Sequence, residues 1–482
     1  MLNYRKLQVS IMQIIKQEKF SKLLFILTFL FVSTANINAQ QTAPTPEIKT
    51  GKAPLIIIPG LTGSELINGK TNSRVWFQRS RSKDDDIRLP ISPVLSRNRD
   101  SLVASDIIRN VKLLKLLPEI EIYDKLITSL EKRGYNEGKW NAPPETGYQD
   151  TFYVFAYDWR RDNVENARLL ERKVKALKAK LRKPNLKFNV VAHSMGGLVA
   201  RYAAMYGDAE LPRGNPRPTW AGAKDFSRIF LLGTPNEGSV ESLQAVLNGY
   251  SYLGGGLNLP FVQNLSKFDM FTIPSVFQLL PHNGTFRLYD ENLQPLKVDL
   301  FDPKIWDKYD WNVMEDEKFS KEFTPTEVRN AKAYFTNVLA RARNFQNALD
   351  ANSSEKIPVS FYLIGGDCKE TPESAIVIYD KKKSKWKTQF DSGAFDKENG
   401  EKVSSEEIKK VVYAMGDGVV SKRSLAGETF AANGKKAFLP VTSEIYLCEG
   451  HTKLVTSPDA QDKLFTLLFD ESAEQTTAEN KK

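Results

Sequence analysis

The chain has 482 residues, a net charge of +10, 41% hydrophobic residues, three histidines and two cysteines. This length is ample for one large hydrophobic core with insertions. The positive excess is small for such a length, so it is weak evidence for contact with an anionic membrane surface, and no nucleic-acid-binding motif accompanies it. So few cysteines and histidines argue against zinc ligation.

The N-terminal segment has the features of a secretory signal. Lys16, Lys19 and Lys22 precede an apolar run, Leu23–Ala35. The run is shorter than the roughly 20 residues that a membrane-spanning helix needs, and small residues follow it, as at a signal-peptidase site. We therefore expect residues 1–39 to be cleaved, which predicts an exported protein, periplasmic or secreted, and lowers the net charge by four to +6. A membrane anchor is the alternative.

Short apolar runs rich in β-branched and aromatic residues recur along the chain. Without polar alternation, such runs predict strands that are buried on both faces, as in a parallel sheet covered by helices. Between the second and third runs, apolar residues recur at spacings of three and four from Val164 to Leu181, which predicts an amphipathic crossover helix. The sequence therefore predicts an α/β fold with a doubly wound, mostly parallel sheet. The six predicted strands lie in residues 54–60, 152–159, 188–194, 228–235, 359–366 and 444–450.

Two long segments interrupt this pattern. One is polar and irregular, and the other is rich in glycine, proline and aromatic residues. Because insertions at the carboxyl ends of the strands lie over the ligand crevice, we interpret the first as a lid and the second as a cap. The predicted organisation is a signal peptide at 1–39, a first core part at 40–237 with the lid at about 64–109, the cap at 238–351, a second core part at 352–469 with a surface hairpin at 374–390, and a disordered tail at 470–482.

The stretch FNVVAHSMGGLVARY, residues 188–202, places Ser194 between a predicted strand and a predicted helix. Ala192 and Gly196 flank it in the small-x-Ser-x-Gly pattern of a nucleophile elbow. In such a turn the serine hydroxyl projects into the crevice, and the N–H of Met195 lies at a helix start, directed to where an oxyanion would form. We predict that Ser194 is a nucleophile; the alternative is a structural serine at a strand–helix junction.

A serine hydroxyl needs a base, and the three histidines are the candidates. His193 adjoins the serine, so the turn directs its side chain elsewhere, and packing beside the elbow is its expected role. His282 lies in the predicted cap, before every acid candidate. His451 follows the last predicted strand in EIYLCEGHTKL, and the chain order of serine, acid and histidine is that of the α/β-hydrolases. We therefore predict that His451 is the base.

The acid that orients the base should lie between the penultimate predicted strand and His451. Asp417 in MGDGVVSKRSL fits, because its two flanking glycines permit a tight turn that presents one carboxylate. Two alternatives remain open: Asp367, directly at the end of a predicted strand, and Glu449, two residues before the histidine.

The loop after the first predicted strand, in PLIIIPGLTGSEL, should supply a second oxyanion donor. Pro59 and Gly60 turn the chain so that the N–H of Leu61 can face the crevice. Each such donor contributes on the order of a hundredfold to a thousandfold in rate. The alternative is that Gly60 and Gly63 are plain turn residues.

The two cysteines each follow a predicted strand, Cys368 in YLIGGDC and Cys448 in EIYLC. In an exported protein they could form one disulfide between the ends of neighbouring strands. Two separate buried thiols are the alternative, and the spacing leaves both open.

Several motifs resemble those of the lecithin:cholesterol acyltransferase family, which includes lysosomal phospholipase A2 and phospholipid:diacylglycerol acyltransferases. They are, in chain order, IIIPGLTGSEL, YDKLITSLEKRGY, FAYDWRRD, AHSMGGLVARY, LLGTPNEGS, PSVFQLLP, GDGVV and the EGH segment. The resemblance spans most of the mature chain. It implies a triad of Ser194, Asp417 and His451 with oxyanion donors at Leu61 and Met195, the residues that the motifs also indicate when they are considered singly.

The resemblance also implies an aromatic lid that meets lipid, which corresponds loosely to the segment around Trp76. Many family members pin this lid with a disulfide, and no cysteine lies in the segment here. Asp158, Trp159 and Arg160 match a YDWR motif, for which we expect an ion-paired scaffold below the site rather than a catalytic role.

Together these residues predict a serine-dependent lipid acyltransferase or acyl hydrolase. It would form an acyl-Ser194 intermediate from a phospholipid or neutral-lipid ester and pass the acyl group to an alcohol or to water. We expect transient contact with a membrane surface, and no cofactor or metal. The alternatives are a lipase or esterase that only hydrolyses and a catalytically silent lipid-binding envelope protein; a metal-dependent hydrolase is disfavoured, because Asp84-Asp85-Asp86 is expected to be a solvated loop.

Overall fold

The computed structural model describes residues 51–78, 86–111, 120–144, 148–251, 264–352, 356–430 and 436–469. The predicted signal peptide at 1–39 and the predicted tail at 470–482 lie outside the described residues, as do Asp84 and Asp85. Within the described ranges, no helix combines the length and the apolar character that crossing a bilayer requires.

A seven-stranded sheet forms the centre of the described chain. Its strands are β1 (Leu55–Ile58), β2 (Asn136–Glu137), β3 (Thr151–Val154), β4 (Phe188–His193), β5 (Phe226–Leu232), β6 (Ser360–Gly366) and β7 (Ser443–Leu447). They lie in the order β7-β6-β5-β4-β1-β3-β2, and every neighbouring pair is parallel. The predicted α/β fold with a parallel sheet is confirmed.

The central strands are buried on both faces. Every residue of β1 and β4 is buried, as the unbroken apolar runs predict for strands covered by helices. Six of the seven strands follow from the sequence. The edge strand β2 does not, because its two residues, Asn136 and Glu137, are exposed and polar and give no apolar signal.

Seven helices of eight or more residues accompany the sheet in the described ranges. They are α1 (Asp124–Lys132), α2 (Asn163–Lys180), α3 (Met195–Tyr206), α4 (Val240–Asn248), α5 (Pro325–Leu349), α6 (Ser405–Val412) and α7 (Pro458–Phe469). Shorter helices lie at Lys267–Phe271, Pro274–Phe277, Pro303–Lys308, Phe319–Glu322, Lys422–Leu425 and Lys453–Thr456, and 3₁₀ turns at Leu95–Arg97 and Val313–Glu315.

Helix α2 is the predicted crossover helix between β3 and β4. It buries its apolar stripe, including Val164, Leu170 and Val174, while most of its lysines and arginines lie on the other positions. The Asp162 side chain accepts the N–H of Val164 at 2.8 Å and so caps the first turn.

Smaller sheets occupy the segments between the core elements. A three-stranded antiparallel sheet in the predicted lid contains Ser64–Asn68, Arg74–Trp76 and Leu102–Ile107. A four-stranded sheet contains Arg287–Tyr289, Pro295–Leu296, Ser374–Asp380 and Lys385–Gln389. Strand pairs form between Asn110–Val111 and Ile120–Glu121, Lys369–Pro372 and Tyr413–Gly416, Phe395–Asp396 and Lys402–Val403, and Thr429–Phe430 and Lys436–Ala437. The domain boundaries stay predictions.

Ser374–Asp380 and Lys385–Gln389 pair as an antiparallel hairpin. The first strand is not a surface strand, because Ala375 and Ile376 are fully buried. It also pairs in parallel with Arg287–Tyr289. The hairpin therefore connects the second core part with the predicted cap.

The predicted cap has an aromatic core of its own. Phe271 and Phe277 lie against Phe335 of α5, with ring centroids 5.8 and 6.0 Å away, and Trp306 meets the same ring at 5.3 Å. Thr324 begins α5 as the N-terminal residue of a capping box. Aromatic pairs stabilise a fold by more than the burial of their surface area alone. The cap is therefore held by its own packing as well as by the chain segments that join it to the core.

Arg160 of the YDWR motif joins the predicted lid to the core. Its guanidinium is fully buried and donates to the carboxylate of Asp158 at 2.8 and 2.9 Å, to Asp100 at 2.6 and 2.9 Å, and to the carbonyl of Ile87 at 2.9 Å. Asp100 and Ile87 belong to the lid, whereas Asp158 follows β3. The expected ion-paired scaffold is present.

A disulfide joins Cys368 and Cys448, whose Cα atoms are 5.1 Å apart. The two residues follow β6 and β7, which are neighbours in the sheet. Of the two alternatives that the sequence leaves open, the structure has the bonded pair.

We predict that Arg160→Met lowers the free energy of unfolding by about 3 kcal/mol or more, because it leaves the Asp158 carboxylate buried without its partner. The matched control is Arg161→Met. Arg161 is partly exposed and pairs with Glu165, so its loss should cost less than about 1 kcal/mol. Urea denaturation of both variants checks this, and equal losses would contradict a structural role specific to Arg160.

Candidate active site

A sharp turn joins β4 to α3 and carries Ser194. Ser194 has φ 53° and ψ −128°, a left-handed conformation that residues other than glycine rarely adopt and that clusters at functional sites. Its N–H donates to the carbonyl of Leu232 at 2.8 Å, which ties the turn to the end of β5. A Cβ on Gly196 would lie 2.4 Å from the carbonyl oxygen of Pro59, so only glycine lets α3 begin this close to the loop after β1.

Ser194 lines a cavity of about 430 Å³ at the carboxyl ends of the sheet strands. The lining also includes His451, Asp417 and Leu61. Four segments that are separate in sequence therefore meet at one cavity, where ligands of open α/β sheets bind. Apolar side chains make up much of the remaining wall, namely Ile122, Ala245, Leu279, Val419 and Val420.

His451 and Asp417 form a tight, largely buried pair. The Nδ1 of His451 lies 2.7 Å from the Oδ2 of Asp417, and the backbone N–H of His451 donates to the Asp417 carbonyl at 2.9 Å. The other carboxylate oxygen accepts the N–H groups of Val419 at 2.9 Å and Val420 at 2.7 Å. The carboxylate therefore accepts from three donors, and it holds the imidazole in one orientation and one tautomer.

In this pair the pKa of Asp417 is lowered and that of His451 is raised, so the charged form of each residue is favoured. Burial acts to raise the pKa of Asp417, but the charge of His451 and the hydrogen bonds from His451, Val420 and Val419 outweigh it, so the pKa is lowered. Burial likewise acts to lower the pKa of His451, but Asp417, by charge and hydrogen bond, and the charge of Glu241 raise it. The site thus favours a histidine that readily takes up a proton.

Asp417 reaches the cavity by a detour from the sheet. β6 ends at Gly366, and the chain returns through the strand Tyr413–Gly416, which pairs with Lys369–Pro372 and ends directly before Asp417. A Cβ on Gly366 would lie only 2.7 Å from the Cβ of Asp417. The acid therefore sits against the end of β6 although it is far from that strand in sequence.

The other acid and base candidates lie elsewhere. Asp367 is partly exposed and pairs with Lys422 at 3.3 Å. Glu449 does not line the cavity, whose lining contains Asp417 instead. His282 lies in a separate cluster with Glu237, so the residues at the cavity are those that the sequence ranked first.

His193 lines the cavity and connects three of the loops around it. Its Nε2 lies 3.2 Å from the carbonyl oxygen of His451, and its Nδ1 lies 2.9 Å from the hydroxyl of Tyr123. Burial, together with the charge of His451, lowers the pKa of His193 to about 3, so the ring is neutral. Because a carbonyl can only accept, Nε2 carries the hydrogen and Nδ1 accepts from Tyr123. The Tyr123 oxygen in turn accepts the N–H of Gly60 at 2.9 Å.

The two predicted oxyanion donors belong to the loop after β1 and to the start of α3. Met195 is the first residue of α3, and the first N–H groups of a helix have no partner within the helix. Leu61 lines the cavity in the loop that Tyr123 holds through Gly60. Both backbone groups thus belong to segments that are fixed by hydrogen bonds rather than free to move apart.

Glu241 and Tyr250 also line the cavity, and neither is predicted from the sequence. Burial, followed by the charge of Asp417, raises the pKa of Glu241 although His451 acts to lower it. Glu241 lies in the first turn of α4, shortly after β5. Its place after the carboxyl end of a strand was the signal that could have found it.

The structure contradicts a lipid-contacting role for Trp76. Its side chain is fully buried, its indole N–H donates to the carbonyl of Thr62 at 2.9 Å, and its ring lies 5.3 Å from that of Trp159. The indole N–H is hydrogen-bonded and the ring is packed inside the protein, so this side chain presents no surface to lipid. The expectation was wrong because an aromatic residue in a polar segment indicates burial as readily as exposure.

The sheet and the serine turn define an α/β-hydrolase fold. A solved structure, "The crystal structure of Tle4-Tli4 complex", is similar with a TM-score of 0.51 and 16% identity, and the match covers 87% of this chain and 98% of that chain. At this identity the likeness concerns the fold alone.

The profile of the lecithin:cholesterol acyltransferase family matches residues 94–429, which is more than half of the chain. The chain therefore belongs to the lecithin:cholesterol acyltransferase family. Lecithin-cholesterol acyltransferase-like 4 of Arabidopsis thaliana is 23% identical over 49% of this chain and 44% of that protein, and Phospholipase A(1) LCAT3 of Arabidopsis thaliana is 24% identical over 47% and 52%. The chain thus spans about half the length of these curated relatives.

We predict that the imidazole of His451 titrates above the ordinary histidine pKa of about 6.5, and that His193 stays neutral through the same range. Glu241→Gln should lower the His451 pKa, because it removes one of the negative charges that raise it. Spectra of ¹⁵N-histidine-labelled protein against pH measure both rings. Glu449→Gln, a change two residues from His451, is the matched control and should leave the pKa in place; an equal effect of both variants would contradict the assignment.

Proposed function

We propose that the protein is a serine-dependent lipid acyltransferase or acyl hydrolase with Ser194 as nucleophile, His451 as base and Asp417 as the residue that orients the base. The observation that carries the proposal is that a strained serine and a tightly bonded histidine–aspartate pair line the same cavity. Each of these features alone has a structural explanation, whereas their meeting matches the requirement for nucleophilic catalysis.

In the first half-reaction, Nε2 of His451 takes the proton of the Ser194 hydroxyl as its oxygen attacks the carbonyl carbon of an ester. The backbone N–H groups of Leu61 and Met195 receive the oxyanion. The bond to the leaving alcohol then breaks, and the alcohol departs with the proton that His451 returns. The acyl group is left on Ser194.

In the second half-reaction, His451 takes a proton from water or from a bound alcohol, whose oxygen attacks the acyl carbon. The Ser194 oxygen leaves and recovers its proton from His451. Water yields a free fatty acid, and an alcohol yields a new ester. The outcome depends on whether the cavity holds an acceptor hydroxyl at an effective concentration above that of water.

Membership of the family and the apolar cavity wall support a lipid ester as acyl donor. We propose a glycerophospholipid or a neutral lipid, and an alcohol or water as acceptor. Since Trp76 is buried, any membrane-surface contact would involve other residues than this one.

The test incubates the purified protein with vesicles of labelled phospholipid, with and without a long-chain alcohol, and identifies the products. We expect labelled fatty acid without the alcohol and labelled ester with it. Fatty acid in both cases would support an enzyme that only hydrolyses.

Ser194→Ala should abolish both products and remove labelling by a fluorophosphonate probe, because the attacking oxygen is gone. Ser105→Ala, which changes an exposed serine, is the matched control and should retain both. A Ser194→Ala variant that still labels would overturn the proposal, and vesicle lipid retained by an unlabelled wild type would identify a silent lipid-binding protein.

We also propose that the protein is exported to the periplasm or beyond. The predicted signal at 1–39 supports this, as does the disulfide between Cys368 and Cys448, because such bonds persist in oxidising compartments. Cell fractionation followed by N-terminal sequencing should find a chain that begins near Gln40 outside the cytoplasm. An uncleaved chain in the cytoplasmic fraction would contradict export.

A further inference from the structure

A second cluster of ionisable groups lies apart from Ser194, between the core and the predicted cap. The Nε2 of His282 lies 3.1 Å from the Oε2 of Glu237 and 3.0 Å from the Oδ2 of Asp350. Glu237 follows β5, His282 belongs to the cap, and Asp350 follows the last residue of α5. The side chains of His282 and Glu237 are only 7% and 2% exposed. Three segments therefore bring one nitrogen and two oxygens together in a largely buried place.

The spacing of these atoms is that of a ligand set. All three lie within 4.8 Å of one another. Zinc binds histidine nitrogen and carboxylate oxygen at about 2.0–2.2 Å with tetrahedral geometry, so adjacent ligand atoms are about 3.3 Å apart. The two distances from His282 are close to that value.

Asn283 supplies a fourth polar group. Its amide lies 2.8 Å from the same oxygen of Glu237 and 2.7 Å from the same oxygen of Asp350. Rotation of the amide by 180° exchanges the positions of its nitrogen and its oxygen. The Asn283 Oδ1 would then face the centre of the cluster as a fourth ligand atom, an oxygen. One nitrogen and three oxygens would then surround the centre of the cluster.

The cluster brings two carboxylates and one imidazole together, and the charge of Arg201 also acts on Glu237. The guanidinium of Arg201 donates to the Asn236 side chain at 2.9 Å and to the Leu349 carbonyl at 2.8 Å. It acts on Glu237 and Asp350 through its charge, while the two carboxylates converge on the histidine.

We propose that Glu237, His282 and Asp350, with Asn283 as the fourth ligand, form a zinc site that joins the cap to the core. Asp350 is 18% exposed and Asn283 is exposed, so the ion can enter from the surface on this side. The site does not contain Ser194, His451 or Asp417, and its role is structural.

Zinc binding exchanges protons for the metal. The His282 nitrogen must be neutral and the carboxylates ionised to bind, so Zn²⁺ displaces the proton from His282 and any proton on Glu237.

The site braces one wall of the Ser194 cavity. The backbone N–H of His282 donates to the Glu237 carbonyl at 3.2 Å, and that of Ser239 donates to the Leu279 carbonyl at 2.9 Å. Leu279 and Ser239 line the cavity. An ion at His282 therefore holds the cap segment that contains Leu279 against the loop after β5.

The experiment titrates Zn²⁺ into the chelator-treated full-length protein by calorimetry and measures the melting temperature with and without the ion. We expect one ion per chain and a higher melting temperature in the presence of the ion. His282→Gln and Glu237→Gln should each weaken binding by more than the roughly 10- to 100-fold that loss of an outer-shell partner costs. Circular dichroism checks that both variants fold; if one does not, Asn283→Ala replaces it and should also weaken binding.

His451→Ala is the matched control, because it removes the histidine of the other histidine–carboxylate pair. Its Zn²⁺ affinity should equal that of the wild type. The proposal is overturned if the wild type binds no Zn²⁺, if binding survives in His282→Gln and Glu237→Gln, or if His451→Ala loses it. Fluorophosphonate labelling at Ser194 is read separately, so failure of the zinc site leaves the proposed function standing.

Discussion

The contact between His451 and Asp417 depends on where two neighbouring parallel strands end. β6 and β7 are parallel neighbours and end at the same edge of the sheet. The segments that follow them meet at this edge, where Nδ1 of His451 lies 2.7 Å from the Asp417 carboxylate. Gly233, with φ 56°, leaves the space for this pair. A Cβ at this position would lie 3.0 Å from the Oδ2 of Asp417 and 3.0 Å from the Nδ1 of His451. A parallel sheet is thus the scaffold that makes a buried charged pair possible, because its loops converge on one side.

Strain and close packing accompany this arrangement at the serine. A left-handed residue other than glycine costs about 1–3 kcal/mol and persists only when its surroundings hold it. At Ser194 these surroundings are the hydrogen bond to Leu232 and the contact of Gly196 with the loop after β1. The same loop is held through Tyr123 and His193, whose other ring nitrogen bonds the backbone of His451. The elbow, the loop after β1 and the loop of the histidine are therefore linked by one chain of hydrogen bonds.

The region beyond the core is not a loose cover. Its aromatic residues form a packed core around Phe335, Arg160 fastens the lid segment to the end of β3, and His282 meets acids of the core and of α5. The cavity wall that contains Leu279 is consequently attached to the core at several points. Such attachment keeps the groups around the cavity in fixed positions.

The apolar periodicity of the sequence determined six of the sheet strands and the crossover helix, and the glycine spacing determined the serine turn. The order of serine, acid and histidine along the chain favoured Asp417 and His451. All of these signals can be read from the sequence without the tertiary structure. The edge strand β2, the burial of Trp76, the pairing of Cys368 with Cys448 and the place of Glu241 in the cavity were decided by the tertiary structure. So was the meeting of Glu237, His282 and Asp350, whose segments are unrelated in sequence pattern. Which side chains converge across long separations depends on how the sheet orders its strands, and that order is a property of the whole packed chain.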